Sequence, residues 1–399
     1  MDFRLDETQE AITRLAADVL DGVTGEPDKS WATLGQAGLL TLAVPERLGG
    51  AGLGVLETAL VLTEIGRRAL SVPALPHLAL GVLPVARWGT PSQQEELLTG
   101  RTLGAAVAEP GDPFPPAPRT ILAPDGTVTG VKTGVIAADR LLVTVAGPAV
   151  VIVDPSGPGA LLAGGILTLD RAPAEILGGA AGNPSGAADD PSGAAARYPS
   201  GAASHPSGAG CHADLHRYAI AGACALGDGA LAGALGLTAE HVRNRHQFGR
   251  PLATFQAVAQ QIADVCITSR TLHLVALTAA WRFGTGRPAD DDLDVAAQWL
   301  TAEAPPAART CHHLHGGLGL SVDYPLHRHT ALIRDLVRFL GGGEHRLALL
   351  ADRVTAGSRP AAGGETAASR RPAAGLNTAG NRRPGTGPEA DGGPACSSN

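Results

Sequence analysis

The residues best equipped for chemistry lie in one run, Arg243-Asn-Arg-His-Gln-Phe-Gly-Arg-Pro-Leu-Ala-Thr-Phe-Gln256. Gly249 and Pro251 break a helix there, Thr254 can cap the next one, and Gln256 falls in its first turn. Such a break frees helix-terminal N–H groups and an arginine for an anion, and a glutamine for a polar ring or phosphate. A helix–loop–helix corner with a glycine C-cap accounts for the same residues without any ligand. His312 and His315 stand one turn apart, with His327 and His329 nearby, a spacing that could share a metal. No carboxylate-bearing zinc motif accompanies them, and solvated histidines at a helix end explain them better, so no metal ligand is assigned. The run Gly49-Gly50-x-Gly52-x-Gly54 does not follow a strand in a βαβ unit, which argues against a Rossmann phosphate loop.

These residues need elements to hold them. Residues 1–103 read as a helical domain. Asp6 caps a first helix with Ile12, Leu15, Ala16 and Leu20 along one face, a second runs from Ser30 to Gly38, and a third covers Glu57–Leu70. Residues 104–180 change texture. Short runs at Leu103–Ala108, Val128–Ile136, Leu141–Val145 and Val150–Val153 are separated by turns such as Pro124-Asp-Gly126, the pattern of a small antiparallel β-domain. Residues 181–212 are a degenerate Pro-Ser-Gly-Ala repeat that cannot bury enough apolar surface to offset chain entropy, and read as a disordered insertion. Residues 213–355 return to helices: Leu215–Arg243, Thr254–Phe283, a third from Asp291 that Pro305-Pro306 must interrupt, and a last pair, Tyr324–Leu340 and Gly343–Val354. Residues 356–399 are a Gly-, Pro- and Arg-rich tail without apolar periodicity, expected to be disordered.

The bulk numbers agree with a globular, helix-rich chain. Of 399 residues, 44% are hydrophobic and 17% charged, while 53 glycines and 30 prolines require irregular segments beside the helices. A net charge of −7 without a basic tract excludes nucleic acid as the expected partner. Five scattered cysteines form no C-x-x-C pair, as expected in a reducing compartment. The polar, helix-like N-terminus is no signal peptide, and no uninterrupted apolar run of transmembrane length is expected. A cytoplasmic location follows as the expectation.

Arg245-x-x-Phe248-Gly249-x-x-Leu252-x-x-x-Gln256 resembles the signature of the acyl-CoA dehydrogenase family. Val44-Pro-Glu-Arg-Leu-Gly-Gly50 resembles the turn in that family's helical N-terminal domain. Glu109-Pro110-Gly111 is similar to its Thr-Glu-Pro-Gly loop, with Ala108 where the flavin-bonding threonine would stand, and the flavin-stacking Trp-Ile-Thr segment is absent around Gly130–Val135. His313-x-x-Gly316-Gly317-x-Gly319 resembles the Gln-x-x-Gly-Gly-x-Gly flavin-adenine contact, with His313 in the glutamine position. The resemblance implies a mainly α fold with a central β-domain: an N-terminal helical domain, a small antiparallel β-domain and a C-terminal four-helix-bundle domain. It also implies FAD as cofactor, with Arg245, Phe248, Gln256, His313, Gly316 and Gly317 as contacts, the Arg245 corner reaching into a neighbouring subunit. It implies an acyl-CoA substrate, a homo- or hetero-oligomer, and an electron-transfer flavoprotein as acceptor.

In that family a glutamate removes the α-proton of the thioester from one of two places, each desolvated enough to raise its pKa. Carried onto this chain, the places fall on Leu340-Gly341-Gly342-Gly343 and on His216–Ile220, and neither holds a carboxylate. Glu344 and Asp214 are the nearby substitutes, Glu344 being the catalytic candidate, although each also reads as a solvated helix-end acid. Two functions follow from the resemblance. One is an FAD-dependent acyl-CoA dehydrogenase performing α,β-dehydrogenation. The other is a non-catalytic partner subunit or pseudoenzyme of the same fold, favoured by the missing Thr, Trp and Glu. A helical scaffold without a redox role is the third alternative.

Overall fold

The computed structural model describes residues 4–22, 27–179 and 209–357. Helix α1 (Glu7–Asp21) starts as expected. Asp6 accepts the Gln9 N–H at 2.8 Å and the Gln9 side chain returns to the Asp6 N–H at 3.1 Å, a reciprocal cap. Ile12, Ala16 and Leu20 form its buried stripe, whereas Leu15, expected on that face, is 43% exposed. Helices α2 (Pro27–Gln36) and α3 (Val55–Arg67) follow, then a π-helical stretch, Leu75–Val82, that runs into α4 (Leu83–Trp88), and α5 (Pro91–Leu97).

The β-domain carries β1 (Leu103–Ala106), β2 (Ile121–Leu122), β3 (Thr127–Thr133), β4 (Arg140–Val145), β5 (Ala149–Val153), β6 (Ala160–Ala163) and β7 (Ile166–Ile176). Their order is β1-β4-β5-β7-β3-β2, with β6 also on β7. The domain is therefore not purely antiparallel, because β1 pairs with β4 in parallel. Strand β7 pairs with β3, β5 and β6 and holds the domain together, although the sequence pattern does not announce it. Its Asp170-Arg171 step interrupts the alternation, with Arg171 at φ 52°, and Pro173 reads as a strand breaker.

The C-terminal helices are α6 (Ala209–Asn244), α7 (Gln256–Gly284), α8 (Asp290–Ala302), α9 (Ala304–His315), α10 (Leu326–Phe339) and α11 (Gly343–Gly357). The Pro305-Pro306 pair interrupts as expected, since α8 stops at Ala302 and α9 starts again with proline in its first turn. Helix α6 begins inside the stretch assigned to the insertion, so residues 209–212 are helical. The rest of that repeat and the tail beyond Gly357 lie outside the described residues. Glycines on α6 and α3 let the two backbones touch: a Cβ on Gly229 would lie 1.9 Å from the Thr63 carbonyl oxygen, and one on Gly66 would lie 2.1 Å from that of Leu226. No apolar run of membrane-span length is uninterrupted in α6 or α7, which Asp228 and Arg270 break, although both helices are long and apolar enough by length and composition alone. The apolar window of α6 is 72% buried, as suits the central core helix of the bundle, with Asp228 buried within it, while that of α7 is 28% buried.

Candidate functional site

Helix α6 releases the chain at Asn244 into a hairpin, not into a glycine-capped corner. Strand β8 (His246–Gln247) pairs with β9 (Arg250–Pro251), and the tip is Phe248 at φ 51° with Gly249 at φ 77°. Two successive positive φ values are the mark of a type I′ turn, which glycine accepts and a bulky residue accepts only under strain. Phe248 is nevertheless 89% exposed, its ring edge-on to Phe255 at 6.1 Å, and Arg250 covers the other ring at 4.1 Å. Thr254 does not cap α7; its hydroxyl donates to the Pro251 carbonyl at 2.7 Å and closes a 3-10 turn, Leu252–Thr254. Helix α7 therefore starts at Gln256 with no side-chain cap on its first N–H groups. Arg245, Gln247 and Gln256 are all exposed around this start.

The second glycine turn lies beside the end of α6. Helix α9 stops at His315, and Gly316 turns the chain with φ 59° and ψ −137°. A Cβ at Gly316 or Gly317 would meet nothing within 4 Å, so the backbone here is open to close approach, and His313 beside it is exposed. His315 stacks on His241 of α6 at 4.6 Å and 21°, donates Nδ1–H to the Cys311 carbonyl at 2.7 Å and meets the Tyr324 hydroxyl through Nε2 at 3.0 Å, and so ties the two helix ends together. Burial depresses the pKa of both imidazoles, which favours neutral rings in the stack. An exposed arginine, an uncapped helix start and an open di-glycine backbone form a donor set that suits a pyrophosphate-bearing dinucleotide. The geometry thus brings Arg245, Phe248 and Gln256 to one corner and His313, Gly316 and Gly317 to the turn beside it.

The histidines do not gather for a metal. His312 meets Thr330 Oγ1 at 2.6 Å, His327 the Tyr324 carbonyl at 2.7 Å and His329 the Arg67 carbonyl at 3.0 Å. Among the described residues no group of His, Cys, Asp and Glu could hold an ion.

On the β-domain, the loop Ala108–Gly111 is pinned from below. Glu109 is 3% exposed and accepts from Lys132 Nζ at 2.9 Å, Thr120 Oγ1 at 2.8 Å and the Arg119 N–H at 2.8 Å. Burial pushes its carboxyl upward, but those hydrogen bonds outweigh burial and hold it at about 2. Lys132, wholly buried, also donates to Thr144 at 2.8 Å. Glu109 is thus engaged in holding the loop, and Ala108, half-buried above it, offers no hydroxyl.

The two places expected to carry a base meet around one ring. Phe114, from the proline-rich loop before β2, is edge-on to His216 of α6 at 5.3 Å and to Phe339 of α10 at 5.5 Å. The Arg346 guanidinium lies 4.6 Å from the same ring, and Arg346 Nε donates to the Leu340 carbonyl at 2.7 Å. His212 sits 4.3 Å from His216, whose pKa falls to about 3, through burial first and then through the neighbouring His212 and Arg346 charges. The substitutes stand elsewhere. Glu344 is exposed in the first turn of α11. Asp214 is buried and engaged by Trp88 Nε1 at 3.1 Å and Arg217 at 2.9 Å. Phe114, His212 and Arg346 were not singled out from the sequence; only the position of Arg346 beside the glycine run Gly341–Gly343 could have drawn attention to it.

Two family models match the chain: acyl-CoA dehydrogenase, N-terminal domain, over residues 6–104, and acyl-CoA dehydrogenase, C-terminal domain, over 213–355. The chain is 41% identical over 372 residues to acyl-CoA dehydrogenase FadE28 of Mycobacterium tuberculosis, covering 88% of this chain and 99% of the relative. It is 31% identical to acyl-CoA dehydrogenase FadE27 of the same organism, covering 87% of this chain and 97% of the relative. Among solved structures, the Tcur3481-Tcur3483 steroid ACAD matches with TM-score 0.76 at 29% identity, covering 88% of this chain and 99% of that one. The ChsE4-ChsE5 complex from Mycobacterium tuberculosis matches with TM-score 0.75 at 29% identity, covering 90% and 100%.

Proposed function

This chain belongs to the acyl-CoA dehydrogenase family, and we propose that it serves FAD-dependent α,β-dehydrogenation of an acyl-CoA thioester as the subunit that completes the flavin site while a partner chain carries the base. One observation carries the reading: the places where a base would stand close on Phe114, His216 and Arg346, and neither supplies a carboxylate. The guanidinium stays protonated and offers no basic site, and burial that lowers His216 to about 3 leaves its imidazole a weak base for the α-proton. FAD, when bound, accepts the hydride from the β-carbon. This chain's contribution is to hold it: Arg245 and the start of α7 at Gln256 toward its phosphates, and the Gly316–Gly317 backbone with His313 toward its adenine side, from a corner exposed enough to enter a neighbouring subunit. The loss of a hydroxyl at Ala108 leaves the flavin ring with fewer contacts on this chain's own β-domain.

The solved relative described as a ChsE4-ChsE5 complex supports a mixed oligomer, and the one described as a steroid ACAD supports a steroid-bearing acyl thioester as substrate class. Electrons would leave through an electron-transfer flavoprotein, and the location would be cytoplasmic. The test is to purify the chain alone and with a coexpressed acyl-CoA dehydrogenase chain, record the visible flavin spectrum, and add a steroid side-chain acyl-CoA anaerobically. Flavin bleaching is expected only from the mixed assembly. Bleaching by the chain alone refutes the division of labour, and absence of flavin from both preparations refutes the flavin role.

A further inference from the structure

We propose that Arg67, Ser269, Arg270 and His273 form a site for a phosphate group, free or as a monoester, in the cleft where α3, α6 and α7 meet. These four residues and Asp228 line one cavity of about 380 Å³. Its walls come from three helices. His273 stands four residues after Ser269 and three after Arg270 on α7, so the three side chains share one face of that helix. Asp228 comes from the middle of α6, and Arg67 ends α3. The close approach of α3 and α6 places Arg67 beside Asp228: a Cβ on Gly229 would lie 2.7 Å from the Arg67 backbone nitrogen.

The balance of charge and hydrogen bonds around the cavity favours an anion. His273 donates Nδ1–H to Asp228 Oδ2 at 2.8 Å, which leaves its Nε2 without a partner among the described residues. That bond raises the pKa of His273, against burial and against the charges of Arg67 and Arg270, which both reach the ring. The imidazolium in turn answers Asp228, 3% exposed, so that carboxylate presents no unopposed charge to a ligand. Arg67 gives Nε to Glu64 at 3.1 Å, while Arg68 lies between Glu64 and Asp21 at 2.7 Å from each. The carboxylates of Asp21, Glu64 and Asp228 thus face the cations of Arg67, Arg68, His273 and Arg270, and Arg270 forms no ion pair among the described residues. Ser269 is 6% exposed, yet its hydroxyl makes no hydrogen bond among the described residues, whereas buried polar groups in native proteins are nearly always partnered. A phosphate presents several acceptor oxygens at once and matches guanidinium forks, an imidazolium N–H and a hydroxyl. None of these residues is assigned to the flavin, so the site stands whether or not the flavin and partner reading does.

Inorganic phosphate is the probe. It is titrated calorimetrically, at constant ionic strength and about pH 6, into the purified full chain, with its partner if the two copurify; the raised pKa keeps His273 protonated there. Arg270→Gln removes the cation that pairs with nothing, and as an exposed substitution it leaves the fold intact. Saturable binding is expected in the wild type, weakened by about tenfold in Arg270→Gln, the loss that goes with one charge-assisted hydrogen bond. No saturable heat, or an equal affinity in Arg270→Gln, overturns the site. Phenyl phosphate, titrated in the same way, distinguishes the source of the group. Tighter binding than that of the inorganic ion assigns the site to a phosphate monoester, and weaker or equal binding assigns it to free phosphate.

Discussion

At its first turns helix α6 buries His212 and His216 against Phe114 and Arg346, while at its last turn it releases a hairpin whose tip, Phe248, is 89% exposed. The buried end packs three rings and a guanidinium, with no carboxylate among those four side chains. The exposed end retains the arginine, glycine and glutamine spacing of the family and points it outward. One helix thus joins a buried, packed end to an exposed one, and the proposed function divides along it: the first end would decide chemistry and the second assembly.

That contrast has consequences for substitution, the largest at the buried side. Glu109 holds the loop Ala108–Gly111 of the β-domain, and Glu109→Gln leaves Lys132 buried without its counter-ion. Breaking such a pair costs about 3–5 kcal/mol, read as a fall in the urea midpoint. Because the folded-state pKa of Glu109 is lowered from 4.5 to about 2, its contribution is fully present above about 4.5 and is lost as pH falls toward 2. The acid limb of the stability profile should flatten over that window in Glu109→Gln. Next in size is Gly229→Ala, which drives a methyl group into the Thr63 carbonyl oxygen and separates α3 from α6. A loss of about 1–3 kcal/mol is expected by thermal melting, the range of an overpacked contact. The smallest change in stability belongs to the exposed end. Arg245→Ala should stay within about 0.5 kcal/mol of wild type, as surface substitutions do, yet lower the flavin copurified with the mixed assembly. A large loss of stability at Arg245, or undiminished flavin, would erase the distinction between the two ends.

The order helices, β-domain, helices was legible in the sequence because apolar spacing and proline breaks are local signals. The capping of α1 by Asp6 and the break at Pro305-Pro306 were read correctly on that basis. Strand β7 was missed because its polar outward face and Pro173 disguise a strand that bonds to three others. Parallel pairing of β1 with β4 joins segments far apart in sequence and leaves no local trace. The hairpin at Phe248 was mistaken for a helix cap because the positive φ of a phenylalanine is set by strand pairing, not by its own preference. That Leu340–Gly343 and His216–Ile220 hold no carboxylate could be read directly. That those positions meet around Phe114 could not, since a phenylalanine between prolines carries no signal of the partners it will find.

The central claim is that this chain helps hold a flavin without supplying the base. It is tested most directly by the rate at which an acyl-CoA thioester bleaches the flavin of the mixed assembly, compared between the wild type and Glu344→Gln. Equal rates at equal flavin content are predicted, because Glu344 stands in solvent at the start of α11. Loss of bleaching with flavin retained would show that Glu344 is the base and contradict the account.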